Sequence, residues 1–396
     1  MSSTPIRVGI IGLSSSATTS WAADAHLPCF DTAAGRERYQ IVALCNSSVA
    51  AAQAAIKTYN LPPDTKAYGS PADLAADPDV ELVLVNTRVD KHFETTLPSL
   101  KAGKDVYIEW PIASNAADID RLVVAARRSG SRALVGLQGR WAPPVLKLKE
   151  LLDRSEELGL GRLLSSEVRA YGGTRDREIL PVGLKYFAER AVGGNPITIG
   201  VGHVIDYVQS VVGELVPGSV HTHLQLQRPE VRVRDPAQND RIVDTIRSDV
   251  PDLLSLHGTV TSSRTHNQPA SLIFTFRRGQ PFPGTPAFTW TLHCTAGEIR
   301  LVAPSGISLQ ADGAQDVTIQ LHRFDSDTVE EVPWGWDERQ RQVPLRARSV
   351  QTVLYAYADA KRKGFGKDEG RDGWVELEDA AVRAAQIAGW LDGFQA

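Results

Sequence analysis

The stretch Arg7-Val8-Gly9-Ile10-Ile11-Gly12-Leu13-Ser14-Ser15-Ser16-Ala17 constrains this chain more than any other. Its first part is short, apolar and β-branched, which predicts a buried parallel strand. It then breaks into glycine and hydroxyl residues, and a helical pattern follows from about Trp21 through Phe30. Strand, tight polar turn and helix form the layout of a dinucleotide-binding βαβ unit, where backbone N–H groups and a helix N-terminus receive a pyrophosphate. The usual G-x-G-x-x-G is reduced to Gly12-x-Ser14-x-x-Ala17. Ser14, Ser15, Ser16, Thr18 and Thr19 would supply hydroxyl donors where close-approach glycines are missing.

Strands and helices alternate through the following hundred residues. Tyr39 to Cys45 is a second apolar strand and the alanine-rich stretch from Val49 to Lys57 a helix. A short helix at Asp73 to Ala76 precedes a strand at Val80 to Val85. Asp105 to Ile108 and Ala133 to Leu137 are further strands, separated by a helix from Ala116 to Ser129 that Gly130 closes. This alternation predicts a doubly wound parallel sheet with right-handed crossovers. Ligands bind at strand ends in such sheets. Candidate cofactor contacts are therefore Gly12, Leu13, Ser14, Ser15, Ser16, Trp21, Asn46, Ser47, Asn86, Thr87, Arg88, His92, Glu109, Trp110 and Gln138. The second strand ends in Asn46-Ser47-Ser48 rather than in the acid that binds a ribose 2′-hydroxyl. With no acid to repel a 2′-phosphate, this favours NADP, with NAD possible. His92 also fits a capping or packing role.

The second half reads differently. Pro144 to Glu156 is an amphipathic helix, Leu163 to Tyr171 a strand, and Gly193 to Val212 a helix carrying His203 and Asp206. Val220–Gln227, Ser255–Ser262, Ala270–Arg277, Thr289–Cys294 and Glu298–Ala303 are spaced like antiparallel strands. Arg346 to Lys363 and Leu377 to Phe394 are helices. The expected architecture is α/β: a Rossmann domain at 1–140, then a 141–396 α+β domain on a large, mainly antiparallel open sheet, for substrate binding and dimerisation. The segment Asp325 to Pro344, with Trp334 and Trp336, fits a lid or a packing plug.

Composition narrows the function classes. Charged residues make up 23% of 396 residues and the net charge is −4, which gives no reason to expect nucleic acid or an anionic membrane as partner. No apolar run approaches the roughly 20 residues of a membrane span, and the N-terminus lacks a signal peptide's pattern, so a cytoplasmic protein is expected. Cys29, Cys45 and Cys294 are scattered, which suits small core residues better than a disulfide or zinc site. His221 and His223 share a strand face without an acidic or cysteine partner, and no metal is expected there.

Several motifs together carry a resemblance that extends roughly through the His257-Gly258-Thr259 strand region: Trp21-Ala22 ahead of His26-x-Pro28, Glu109-Trp110, Leu137-Gln138-Gly139-Arg140 and Gly202-His203-x-Ile205-Asp206. They resemble the Gfo/Idh/MocA family, and within it the fungal galactose-regulon repressor branch. The resemblance implies a two-domain NAD(P)-dependent oxidoreductase acting on a small hydroxylated or carbonyl substrate. It also implies a homodimer built on one face of the second sheet, although that face could instead be covered by the chain's own helices.

Two positions depart from the family's pattern. Trp110 stands where the family has an acid/base lysine, and Ile199 stands where it has an aspartate four residues before His203. Carbonyl reduction needs a proton donor near the developing alkoxide, and an indole has no usable pKa. His203 thus becomes the leading acid/base candidate, with Asp206 placed to orient it or to cap. Tyr186 is a substitute proton donor or a packing residue, and Arg140 an anion anchor or a salt-bridge residue. Three readings follow: an oxidoreductase with a remodelled site, a non-enzymatic cofactor-sensing regulator, or a cofactor-retaining enzyme of elimination, cyclisation or isomerisation.

Overall fold

A computed structural model of the chain describes residues 4–17, 20–365 and 373–395. Thr18 and Thr19 lie outside the described residues. The chain forms two compact units: residues 1–138, 191–194 and 337–386 make the first, and 139–190, 195–336 and 387–396 the second.

The first unit holds a seven-stranded sheet. Its strands are β1 (Ile6–Ile11), β2 (Tyr39–Cys45), β3 (Lys66–Tyr68), β4 (Leu82–Val85), β5 (Asp105–Ile108), β6 (Ala133–Val135) and, far along the chain, Val375–Glu376. Their order is Val375–Glu376, β6, β5, β4, β1, β2, β3, and every pairing is parallel except that of the late strand on β6. All four side chains of β4 are fully buried, as expected of a strand covered on both faces. Local signals set the helix ends. Ser48, Ser70 and Asn115 accept from main-chain N–H groups in the first turns of Val49–Thr58, Pro71–Ala76 and Ala116–Ser129. Gly130 closes the last of these at φ 74°.

The first unit is completed by residues 337–386 rather than by 1–138 alone. Helix Leu345–Lys363 packs against the segment Ala22–Asp31. It is held there by specific polar contacts. Tyr355 donates to the Cys29 carbonyl at 2.8 Å, Tyr39 donates to the Leu354 carbonyl, and Lys361 reaches Asp105 at 3.0 Å. The start of helix Leu377–Asp392 follows in the same unit.

The second unit is built on two sheets. Its strands, continuing in chain order, are β7 (Leu163–Gly172), β8 (Ile179–Pro181), β9 (His221–Gln225), β10 (Glu230–Asp235), β11 (Arg241–Arg247), β12 (Leu253–Val260), β13 (Ala270–Arg278), β14 (Phe288–Cys294), β15 (Gly297–Ala303), β16 (Thr318–Arg323) and β17 (Thr328–Glu331). The large sheet runs β17-β16-β15-β14-β7-β13-β12-β9 and is antiparallel except between β7 and β13. Burial alternates along it: Phe288, Trp290, Leu292 and Cys294 face in. Helix Gly202–Val212 covers this face, with Tyr207 packed 6.0 Å from both Phe288 and Trp290. A small sheet, β11-β10-β8, stands apart.

The Asp325–Pro344 segment is partly structured, containing β17 and the short helix Glu338–Arg341. Trp336 is buried, and Trp334 donates to the Val317 carbonyl at 2.8 Å, so the tryptophan pair packs as a plug. The three cysteines are free and buried, and burial pushes each thiol above its ordinary range, Cys45 to about 11 and Cys294 to about 12. Among the described residues, no helix is long and apolar enough to cross a membrane.

Candidate active site

In the first unit, the ends of β1, β2 and β4 converge on the serine-rich turn. The N–H of Gly12 donates to the Cys45 carbonyl at 3.1 Å, and that of Asn86 to Ile11 at 2.9 Å. Gly12 sits at φ 97°, and a Cβ there would lie 2.8 Å from the Asn86 carbonyl oxygen. Only glycine fits both the conformation and the approach. Beyond it, Ser14 Oγ accepts from the Ser16 N–H at 3.2 Å, so this hydroxyl closes the turn on itself. Ser15 is exposed. Leu13, expected at the cofactor, has its side chain in the core; its carbonyl accepts from Asn46 Nδ2 at 2.9 Å. Asn46 therefore braces the loop, Ser48 caps the next helix, and Ser47 is left exposed.

Asn86 is the polar group that points to a ligand. Its Nδ2 and Oδ1 are both buried and have no hydrogen-bond partner among the described residues, and the same holds for Gln138 Oε1 beyond β6. Buried orphaned amides are costly, and native structures keep them where something else completes them. A dinucleotide, rich in hydroxyl, phosphate and amide groups, fits these residues. Arg88 is exposed and forms a two-pronged pair with Asp90 at 2.6 Å, so its fork is already occupied. Thr87 Oγ1 lies 3.3 Å from Thr95 Oγ1.

The end of β5 is organised by Glu109. Its Oε1 accepts from Trp21 Nε1 at 3.0 Å and lies 2.6 Å from His26 Nε2. The other oxygen lies where a side chain on Gly136 would go, 2.5 Å from the position of a Cβ. Glu109, a candidate cofactor contact in the sequence, ties the first helix to the strand end by its carboxylate. Trp110 is 6% exposed and joined to Pro111 by a cis bond. His92, expected at the cofactor, is buried with its two ring nitrogens each 2.7 Å from a main-chain carbonyl, of Pro111 and Thr87. It ties the β4 and β5 loops together, and burial holds its pKa below the ordinary value.

In the second unit, Asn195 caps a π-helical turn, Pro196–Val201, that leads into helix Gly202–Val212. His203 is half-buried near the start of that helix. One turn on, Asp206 is 1% exposed and receives Arg140 on both oxygens, at 2.9 and 2.7 Å. Arg140 is thus a salt-bridge residue first, and its fork faces a carboxylate of the same unit. Tyr186, a suggested proton donor, packs with Ile199 against Leu180, Phe187, Ala188 and Val231. Its ring stands edge-on to Phe187 at 5.0 Å.

One functional candidate escaped the sequence reading. Lys149 donates to the Arg140 carbonyl at 3.3 Å, and burial pushes its ammonium down to about 8. Val145, Lys149 and Leu152 fall at helical spacing, so a lysine inside an apolar stripe was the available signal.

Residues 6–137 match the oxidoreductase family with an NAD-binding Rossmann fold, GFO_IDH_MocA, and residues 143–303 match the Gal80p C-terminal domain family. The chain is 33% identical over 309 residues to the dehydrogenase aclE of Aspergillus oryzae, covering 76% of this chain and 77% of that protein. It is 27% identical to the galactose/lactose metabolism regulatory protein GAL80 of Saccharomyces cerevisiae, over 77% of this chain and 68% of that one. In fold it is similar to the super-repressor mutant of Gal80p from the same yeast, with a TM-score of 0.83, 22% identity and coverage of 98% and 95% of the two chains. It is similar as well to levoglucosan dehydrogenase in complex with NADH and L-sorbose, with a TM-score of 0.71, 16% identity and coverage of 98% and 96%. The chain belongs to the Gfo/Idh/MocA oxidoreductase family, with a second domain of the Gal80p type.

Proposed function

We propose that this chain is a nicotinamide-dinucleotide-dependent dehydrogenase of small hydroxylated or carbonyl compounds, with His203 as its acid/base group. The observation that carries the reading is the buried, partnerless Asn86 amide beside Gly12. Similarity to a dehydrogenase over three quarters of the chain supports it. The bound dinucleotide supplies or accepts the hydride. His203 takes or returns the hydroxyl proton at a ring nitrogen, a role open to imidazole near neutral pH. The missing acid at Asn46-Ser47-Ser48 favours NADP over NAD. A second copy docked on the outer face of the large sheet, where Ile273 is 41% exposed, would make the dimer.

A second reading, a cofactor-sensing regulator, is favoured by Trp110 and Ile199 at the family's acid/base positions and by the similarity to GAL80. Calorimetry with NADP and NAD, followed by absorbance at the reduced-nicotinamide band with polyols, sugars and ketones, separates the two. Turnover that His203→Ala abolishes supports the dehydrogenase. Tight dinucleotide binding with no turnover on any substrate supports the regulator. Failure to bind either dinucleotide sinks both.

A further inference from the structure

The small sheet of the second unit carries a basin of about 530 Å³ on its solvent side. Val231 and Val233 of β10 point the other way, into the protein. Arg232 and Glu230 therefore face outward, paired across the ladder with Thr245 and Arg247 of β11. Arg228 and Glu178 complete the rim, which sets three guanidinium groups against two carboxylates.

The ion pairs there are loose. Glu178 is shared between Arg228 and Arg232, and each contact is 3.4 Å. A well-made guanidinium–carboxylate bond runs about 2.7–2.9 Å, so a single stretched carboxylate saturates neither fork. Two further acids nearby are engaged by the main chain rather than by these forks. Asp252 accepts the main-chain N–H groups of Gln227 and Arg228, and Asp176 those of Glu178 and Ile179. Arg177 and Arg228 both stand close enough to Arg277 for their positive charges to weigh on it, with Asp252 opposing them.

We propose that this basin binds a small multivalent oxyanion, a phosphate ester or a di- or tricarboxylate, through Arg228, Arg232 and Arg247 with the Thr245 hydroxyl. Planar guanidinium forks match both oxyanions in two-pronged fashion, and several on one concave face select for more than one negative charge. The sheet's inner side packs Leu180 and Val231 against Tyr186 and Ile199. An occupant thus lies one sheet's thickness from the segment leading to His203. This makes an effector site of residues of the second unit alone, and it stands whether or not the dehydrogenase reading does.

The test uses the full-length protein preloaded with dinucleotide. Citrate and inorganic phosphate are titrated in separate calorimetric arms, against sodium chloride of matched ionic strength. Saturable binding is expected for at least one of them, weakened about tenfold by R232Q and by R247Q, each removing a charge-assisted bond, and unchanged by R300Q on the large sheet. Binding of citrate alone marks a carboxylate ligand, and of phosphate alone a phosphate ester. Heats no different from the chloride blank, or equal affinity in R232Q and R247Q with their folds intact by circular dichroism, overturn the proposal. Failure of the preloading step bears on the dehydrogenase and regulator readings and not on this site, because the same titration then runs on the unloaded protein.

Discussion

His26 Nε2 and Glu109 Oε1 face each other across 2.6 Å, with His26 fully buried and Trp21 donating to the same oxygen. One carboxylate therefore serves two donors from the first helix. Glu109→Ala leaves both without a partner and is expected to cost about 2–4 kcal/mol, by the cost of orphaned buried groups. Glu109→Gln, which keeps an acceptor, is expected to cost less than half of that. Denaturant unfolding of the two variants checks the order, and a smaller loss for alanine than for glutamine contradicts it.

Gly12 and Asn86 give a second test. A methyl group at position 12 meets the Asn86 carbonyl at 2.8 Å in a backbone conformation that L side chains rarely adopt. Gly12→Ala is expected to destabilise by about 1–3 kcal/mol and to abolish dinucleotide binding. Asn86→Ala removes a buried unsatisfied amide, so the apo protein is expected to gain or hold stability while losing dinucleotide affinity. A stability loss in Asn86→Ala as large as that in Gly12→Ala would show that the amide has a structural partner.

The Arg140–Asp206 pair predicts an asymmetry. Asp206→Ala leaves a guanidinium that is 22% exposed facing a buried void and is expected to cost about 3–5 kcal/mol. The double variant R140M/D206L is expected to recover most of that loss, because two apolar groups of similar volume replace a desolvated pair. Thermal or denaturant melts of the single and double variants measure the difference. A double variant no better than Asp206→Ala means that the pair is needed for more than its own neutrality.

Lys149 predicts a pH dependence of definite sign. Its ammonium is held down to about 8 by burial, against an ordinary 10.5. Between those values the unfolded chain keeps a proton that the folded chain has released, so stability from this group rises with pH across that window. Below about pH 8 both forms hold the proton, and the burial cost is constant. Lys149→Met is expected to remove this rise and to leave stability at pH 7 unchanged or higher by about 1 kcal/mol. Unfolding curves of both proteins at pH 7, 8, 9 and 10 provide the check. Parallel profiles for the two would show that Lys149 titrates normally.

Placing at position 110 the lysine that the resemblance implies is not expected to bring acid/base chemistry with it. Trp110 is 6% exposed, and Trp110→Lys exchanges a packed indole for a charge with a cavity around it. The expected outcome is a loss of about 3 kcal/mol or more, read by melting, without a rise in turnover. A stable variant with new activity would show that the pocket was already shaped for an ammonium.

The parallel sheet was legible because β1, β2, β4 and β5 are buried on both faces along most of their length and so spell nearly continuous apolar runs, broken by Arg7, Gln40 and Asp105. The outlying strands were not. All but one of the seven residues of β11, and all four of β17, are exposed, so neither shows an alternation to read. β3 has three residues and the late strand Val375–Glu376 two, too few for any period. At the site, types and positions were legible and partnerships were not. Glu109, His92 and Arg140 each carry a group suited to a ligand. Which of them the protein uses on itself depends on a carbonyl, a carboxylate and an indole N–H lying 19, 66 and 88 residues away. Leu13 shows the same limit, since a loop residue beside a glycine gives no sign that its side chain turns inward.

The return of residues 337–386 to the first unit has a consequence for how the protein is made. Tyr39, Cys29 and Asp105 emerge from the ribosome well before their partners in helix Leu345–Lys363, which are synthesised 315, 326 and 256 residues later. The first unit is thus begun early and stays incomplete until residues 337–386 have been made. Until helix Leu345–Lys363 arrives, the flank it covers stays open to solvent and to chaperones.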